Sequence, residues 1–246
     1  MKLNVHPQPI RDGQPFLIKP RRLVVAIQLC KKHPNLRIIN HPILLDELSR
    51  MRNKETAKED FARHMDQVAP FLAYEALSDL SIEYRIIETP VAAMSAPFLS
   101  SRKVALVSVL GAGEAFRNGM WRNLLPWAPC GMIAARRNEQ TLKAELTYTR
   151  LPKKLHGWKT LVVDPMLATG GSSSDAIDLL KRETGADDIM LVSLVAAPMG
   201  VDVLHERHPN VVVYTLALDS SLTKNGYINP GLGDAGDRYF GVTPNG

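Results

Sequence analysis

An α/β fold, a mainly parallel sheet flanked by helices, is predicted by three observations. Short apolar, β-branched runs recur between residues 82 and 216 and alternate with stretches of roughly 10–15 residues carrying apolar side chains at helical spacing. Two of these runs, Val104 to Leu110 and Leu161-Val162-Val163, have apolar residues at consecutive positions, as a strand covered on both faces requires. The second ends in Asp164, passes through a loop with almost no side-chain bulk, and resumes at helical spacing with Ala176, Ile177, Leu179 and Leu180.

The elements follow in order. Residues 1–22 hold Pro7, Pro9, Pro15 and Pro20 among few apolar residues, an extended or disordered lead-in, and Leu23 to Ile27 reads as a short strand. Ile43, Leu44, Leu45, Leu48 and Met51 share a helical face, with His41-Pro42 at its start; His41 is read as structural. Thr56 to Leu80 gives a second amphipathic helix, opened by a capping box of Thr56 and Glu59 and kinked or split at Pro70. Ile82 to Glu88 is a strand and Pro90 to Pro97 a loop or edge. Then come strand Val104–Leu110, loop Gly111-Ala112-Gly113, helix Glu114–Leu125, strand Cys130–Ala135 and a candidate arm at Glu145–Thr149. The pattern ends with strand Lys159–Asp164, helix Ser173–Arg182, strand Ile189–Ala196, helix Val201–His208 and a last strand, Val211–Leu216.

At 246 residues and 45% hydrophobic, the chain can bury one sizeable core, so one domain with an extension suffices. No apolar run reaches the ~18 residues of a membrane span, and the N-terminus lacks a basic-then-apolar leader, so an intracellular, cytoplasmic protein is expected. Cys30 and Cys130 lack metal-ligand spacing and are expected as free thiols. Of the net charge of +5, residues 1–40 carry +7 and the rest −2. The excess therefore belongs to a basic extension, and without interleaved aromatics it does not read as a nucleic-acid surface.

The chemistry concentrates after Asp164. Ala168, Thr169, Gly170, Gly171 and Ser172 form a loop whose backbone N–H groups can close on a phosphate at the following helix N-terminus, and Thr169, Ser172 and Ser173 add hydroxyls. Asp164 is placed to accept from ribose hydroxyls or a metal-bound water. The spacing matches neither the nucleoside-triphosphate loop nor the dinucleotide fingerprint.

Asp164-Pro165-Met166-Leu167-Ala168-Thr169-Gly170-Gly171-Ser172 resembles the phosphoribosyl diphosphate (PRPP) signature of the uracil phosphoribosyltransferases, among the type I phosphoribosyltransferases. A second stretch, from Gly226-Tyr227-Ile228-Asn229-Pro230 through Gly233-Asp234-Ala235-Gly236 to Gly241, is similar to that family's uracil-binding tail. The resemblance runs from about His41, so residues 1–40 are set apart as an extension from a phosphoribosyltransferase domain at 41–246.

What the resemblance implies is a type I phosphoribosyltransferase fold with an N-terminal helical hood and a C-terminal base-binding tail, converting uracil and PRPP to UMP and diphosphate in pyrimidine salvage. Mg²⁺ would be carried by PRPP rather than by protein ligands. Asp164, Arg137 and Asp234 are the implied catalytic residues. PRPP would meet Arg137, the segment Asp164 to Ser172, and Asp234; uracil would meet Tyr227, Ile228, Gly233, Asp234 and Ala235. Arg136 could take the place of Arg137, since that segment differs in length from the family pattern. A homodimer is implied. The alternative reading is a non-catalytic descendant that binds a nucleotide or PRPP as a sensor or partner subunit.

One departure stands out. Where the family has Leu-Arg-Ala-Gly, this chain has Leu110-Gly111-Ala112-Gly113 followed by Glu114. Losing a cation and gaining a carboxylate is expected to weaken PRPP binding, with Arg117, one turn on, available to pair with Glu114. The expected remedy is Gly111→Arg combined with Glu114→Leu.

Overall fold

The computed structural model describes residues 26–137 and 144–242. In chain order the elements are β1 (Ala26–Leu29), β2 (Leu36–Asn40), α1 (Pro42–Arg52), α2 (Lys58–Ala76), β3 (Ile82–Glu88), β4 (Ala93–Leu99), β5 (Val104–Val109), α3 (Ala112–Asn123), β6 (Cys130–Arg137) and β7 (Ala144–Arg150). They continue with β8 (Lys159–Val163), β9 (Met166–Leu167), α4 (Gly171–Thr184), β10 (Asp188–Val192), β11 (Val195–Ala196), α5 (Pro198–Arg207), β12 (Val212–Thr215), β13 (Ala217–Leu218), β14 (Ser221–Leu222), β15 (Ile228–Asn229) and α6 (Ala235–Phe240).

The main sheet has the order β1-β2-β12-β10-β8-β5-β6-β7. Its strands from β2 to β6 pair in parallel, and the outermost strands β1 and β7 pair antiparallel. The double burial expected of the central strands is present. Successive side chains of a strand point to opposite faces, and on β8 Leu161 and Val163 enter one core with Val104, Leu106, Met190 and Val192, while Val162 enters the other with Ala105, Val107, Ile189 and Leu191. The first core is closed by α1, α2 and α3, through Leu48, Phe61, Met65, Leu72, Phe116 and Met120; the second is closed by α4 and α5, through Ile177, Leu180, Val201 and Leu204.

Several expectations are revised. Residues 26–40, set apart with the extension, add β1 and β2 to the sheet, and Leu36 and Ile39 are fully buried; residues 1–25 lie outside the described residues. The capping box does not form. Helix α2 starts at Lys58 with Ala57 as N-cap, because the Thr56 hydroxyl donates instead to the Arg50 carbonyl at 2.6 Å, closing the turn after α1. Nor does Pro70 split α2, which runs unbroken to Ala76. An interior proline costs about 3 kcal/mol, and burial of Val68, Ala69, Leu72 and Ala73 around it offsets this. Most of the stretch from Pro90 to Pro97, read as a loop or edge, belongs to β4 (Ala93–Leu99), in an antiparallel hairpin with β3. The candidate arm at Glu145–Thr149 is the edge strand β7, and β13, β14, β15 and α6 were not foreseen. Cys30 and Cys130 are free, and no helix among the described residues is long and apolar enough to cross a membrane.

Candidate active site

Helix α3 carries the chain from β5 outward to β6, whereas α4 carries it from β8 the other way to β10. The loops after β5 and β8 therefore part company at adjacent strand ends, the switch point where open parallel sheets bind ligands. A cleft of 340 Å³ lies there, walled by Leu110, Gly111, Ala112 and Gly113 after β5, by Asp164, Pro165, Met166 and Ala168 after β8, and by Tyr227, Ile228, Gly233, Asp234, Ala235 and Gly236 from the tail. The two motifs, some sixty residues apart in sequence, share one cleft.

The loop after β8 is rigidly held. Asp164 N–H donates to the Val192 carbonyl, Leu194 and Val195 N–H donate to the Pro165 carbonyl, and Ala197 N–H donates to the Leu167 carbonyl, so the loop runs as β9 beside β11. Asp164 stands half-buried at the mouth. Its carboxylate accepts from the Ser173 hydroxyl at 2.7 Å and from the Met166 N–H at 3.3 Å. Burial pushes the carboxyl above the usual aspartate range, and these two hydrogen bonds work against that rise.

The remaining PRPP candidates divide by their surroundings. Leu167 is fully buried in the core and serves packing. Gly170 is buried as the left-handed N-cap of α4 (φ 78°), while Thr169 and Ser172 are exposed. A Cβ on Gly171 would meet nothing nearer than the Thr169 hydroxyl at 4.0 Å, so open space lies over this helix start. No side chain caps α4, which leaves first-turn N–H groups available to an anion. Ser173, counted among the hydroxyl donors for phosphate, is instead buried and committed to Asp164. Arg136 and Arg137 are the last two residues of β6, beside β5; their side chains lie outside the described residues.

In the tail, Tyr227 is half-exposed over the cleft and Ile228 is buried beneath it. Gly233 takes a left-handed φ of 79°, and a Cβ there would meet only the Arg238 side chain, at 3.6 Å, so its backbone is open to approach. Asp234 is the N-cap of α6, and its carboxylate accepts from the N–H groups of Gly236 (2.8 Å) and Asp237 (2.9 Å). That structural commitment was missed at the sequence level, although an aspartate ahead of Ala235-Gly236-Asp237 is the signal for it.

The departure at Gly111 has a local answer. Glu114 is paired with the buried Arg117 and accepts from the Ser108 hydroxyl at 2.9 Å. Its charge is met inside the fold by the pairing expected with Arg117. The missing cation is not replaced by Arg117, which is 7% exposed and also donates to the Gly131 carbonyl.

The family model described as uracil phosphoribosyltransferase matches residues 38–242. The uracil phosphoribosyltransferase of Levilactobacillus brevis is 43% identical over 205 residues, covering 83% of this chain and 97% of the relative. Among solved structures, the AQ2163 protein from Aquifex aeolicus superposes with a TM-score of 0.78 at 31% identity, covering 85% of this chain and 99% of that one. The adenine phosphoribosyl transferase from Trypanosoma brucei, at 12% identity with a TM-score of 0.51 over 81% of this chain and 90% of that one, shares the fold. With the phosphate loop and the tail meeting at the switch point of a type I phosphoribosyltransferase sheet, the chain belongs to the uracil phosphoribosyltransferase family.

Proposed function

We propose that this protein is a pentosyltransferase of pyrimidine salvage, joining uracil N1 to C1′ of PRPP with release of diphosphate to give UMP. The observation that carries the reading is the meeting of the Asp164–Ala168 loop and the Tyr227–Gly236 segment in one cleft. As the C1′–O bond breaks, its electron pair leaves with diphosphate; C1′ becomes cation-like, the N1–C1′ bond forms, and the N1 proton passes to solvent. Such a step asks the protein to orient two partners and hold departing charge rather than to supply a nucleophile.

The 5′-phosphate sits at the open start of α4, over Gly171, held by backbone N–H groups and the hydroxyls of Thr169 and Ser172. Asp164 accepts from the ribose hydroxyls. Arg137, or Arg136 in its place, faces the diphosphate. Uracil lies between Tyr227 and the backbone of Ile228 and Gly233–Ala235, whose donors and acceptors match its two carbonyls and N3–H; cytosine would bring an amine to a donor and leave buried groups unpaired. Among the described residues no group of three or more His, Cys, Asp or Glu side chains could hold a metal, whereas Asp164 beside an open phosphate cradle suits a Mg²⁺ ion carried on the diphosphate. That ion would supply charge neutralisation to the leaving group.

Phe71 and Tyr74 on α2 are 53% and 62% exposed, and the β3–β4 hairpin shows Ile82, Tyr84, Ile86, Met94 and Phe98 to solvent. An isolated hairpin is marginal in water, and a second copy of the chain covering these residues gives a homodimer. Free thiols and a substrate too charged to cross a bilayer fit the cytoplasm.

The test is incubation of the protein with PRPP, Mg²⁺ and labelled uracil. UMP is expected. Binding of PRPP or UMP without turnover, over a range of pH and metal concentration, would replace this reading with a non-catalytic binding protein.

A further inference from the structure

The tail segment that lines the cleft is held at its start by the pairing of β15 with β14, at its far end by the Asp234 cap, and at its middle by side chains from α1, α6 and the loop after β13. Ile228 and the run from Gly233 to Gly236 face the cleft, while Gly231 and Leu232 between them turn away into the fold and are buried. Two guanidinium groups meet them there. Arg52, in the last turn of α1, makes a bidentate pair with Asp219, 2.7 Å on each arm, and also donates to the Gly231 carbonyl at 2.6 Å. Asp219 in turn accepts from the Gly231 N–H at 2.8 Å. One residue's N–H and C=O are thus both taken by a single ion pair, whose side chains are 23% and 8% exposed. Arg238 from α6 donates to the Leu232 carbonyl at 2.9 Å, to the Asn53 carbonyl at 2.7 Å and to the Met51 carbonyl, and it lies over the Phe61 ring with 4.5 Å to the centroid.

Asp219 is itself fixed to the sheet end, since its N–H donates to the Ala196 carbonyl at 2.8 Å. Gly231 has no freedom to relax into a substitute geometry. Its φ is 61°, and a Cβ would collide with the Ile228 carbonyl. Beside the β14–β15 pairing at Ile228 and the Arg238 contact at Leu232, the Gly231 peptide between the two cleft-lining stretches is registered against α1 and β11 through one carboxylate and one guanidinium fork.

We propose that Arg52 and Asp219 are positioning residues for the pyrimidine: acting through the Gly231 peptide, they set the affinity for uracil and leave PRPP recognition alone. This rests on the assignment of residues 227–235 to the base. A planar fork is needed, because only a guanidinium can hold both carboxylate oxygens and reach the carbonyl.

The variants are Arg52→Met, the milder Arg52→Lys, Asp219→Asn and the double substitution, each followed by amide hydrogen exchange over residues 228–235, uracil KM, PRPP affinity by calorimetry without uracil, and Tm. The expected result for Arg52→Met is faster exchange in this segment and a uracil KM raised by about tenfold or more, with PRPP affinity within about twofold. Arg52→Lys should fall between it and the parent, and the double variant should lose no more than the worse single one, as for a coupled pair. Unchanged exchange in Arg52→Lys and Arg52→Met would overturn the proposal. So would a loss of PRPP affinity equal to that of uracil, which marks a merely structural role. Faster exchange with an unaltered uracil KM would instead leave the clamp standing and remove the assignment of the segment to the base.

Discussion

Gly170 and Gly200 meet backbone to backbone: a Cβ on Gly170 would fall 2.5 Å from the Gly200 carbonyl oxygen, and one on Gly200 would fall 2.5 Å from that of Ala168. The glycine at 170 is thus required by the packing of α5 against the loop and by its left-handed φ, whatever the loop binds. Gly170→Val should lower stability by a few kcal/mol, about 3 as an order of magnitude, and fold poorly. Gly171→Val, with open space beside it, should leave Tm within a few degrees and raise PRPP KM. Thermal melts beside PRPP saturation curves separate the two; equal losses of Tm would show that the helix start is not open.

The Gly111 site invites a repair that the structure redirects. Glu114→Leu would strand the buried Arg117, and removing one partner of such a pair costs about 3–5 kcal/mol. The double substitution suggested by sequence alone is therefore expected to unfold. Gly111→Arg with Glu114 kept is the useful variant: a Cβ at 111 meets nothing within 4 Å, although its φ of 110° strains any side chain. It should lose about 1–3 kcal/mol of stability and lower PRPP KM by about tenfold. An unchanged KM would mean that the cleft no longer uses a cation there.

Asp164 gives a pH signature. Its carboxyl is pushed up by burial, and in the role proposed for it the ionised form accepts the ribose hydroxyls, so kcat/KM for PRPP should fall on the acid side at a higher pH than an ordinary aspartate would give. Asp164→Asn should be slow throughout and lack that limb. The stability effect has the opposite sign. The folded chain holds this proton more tightly than the unfolded one, so the contribution is full below the ordinary aspartate pKa and is lost as pH rises through the raised value. Asn, which is neutral at every pH, should remove the decline; a decline that persists in Asp164→Asn belongs to another group.

Asp234 combines a helix cap with a place in the cleft. Asp234→Asn keeps an acceptor for the N–H groups of Gly236 and Asp237 and should cost little stability, whereas Asp234→Ala should lose about 0.5–2 kcal/mol. If the carboxylate also serves substrate, both variants should lower kcat/KM; if Asn is fully active, the residue is a cap alone.

Phe71 and Tyr74 carry the dimer expectation. Light scattering at micromolar concentration should give twice the chain mass, and Phe71→Asp with Tyr74→Asp should return it to the monomer. A monomeric parent would leave these rings and the β3–β4 hairpin as surface.

The parts of the fold that were legible from sequence share a physical cause. Central strands such as Val104–Val109 and Lys159–Val163 are buried on both faces, so their composition announces them. The loop after β8 was legible because its small residues leave a backbone exposed, whereas the tail was marked only by its resemblance to the family, and the two meet in one cleft. What stayed hidden depended on partners remote in sequence. Thr56 looks like a cap until Arg50 supplies a nearer acceptor, and Pro70 looks like a break until the buried face of α2 is seen to hold the helix. The partnership of Arg52 with Asp219, 167 positions away, has no local signature at all. Helix α6 was hidden by Gly236 within it and by Gly233 and Gly241 beside it, which read as loop, and β13 to β15 are too short to show a period.

The stitching of Arg238 to Met51 and Asn53 joins residues more than 180 positions apart, and this sets an order of events during synthesis. Helix α1 leaves the ribosome early, yet the carbonyls at its end wait for one of the last helices to be made. Until α6 has emerged, those carbonyls lack this guanidinium and the cleft lacks the wall that Ala235 and Gly236 supply. The wall that Gly233 to Gly236 give the cleft is therefore completed late, as α6 folds back against the end of α1.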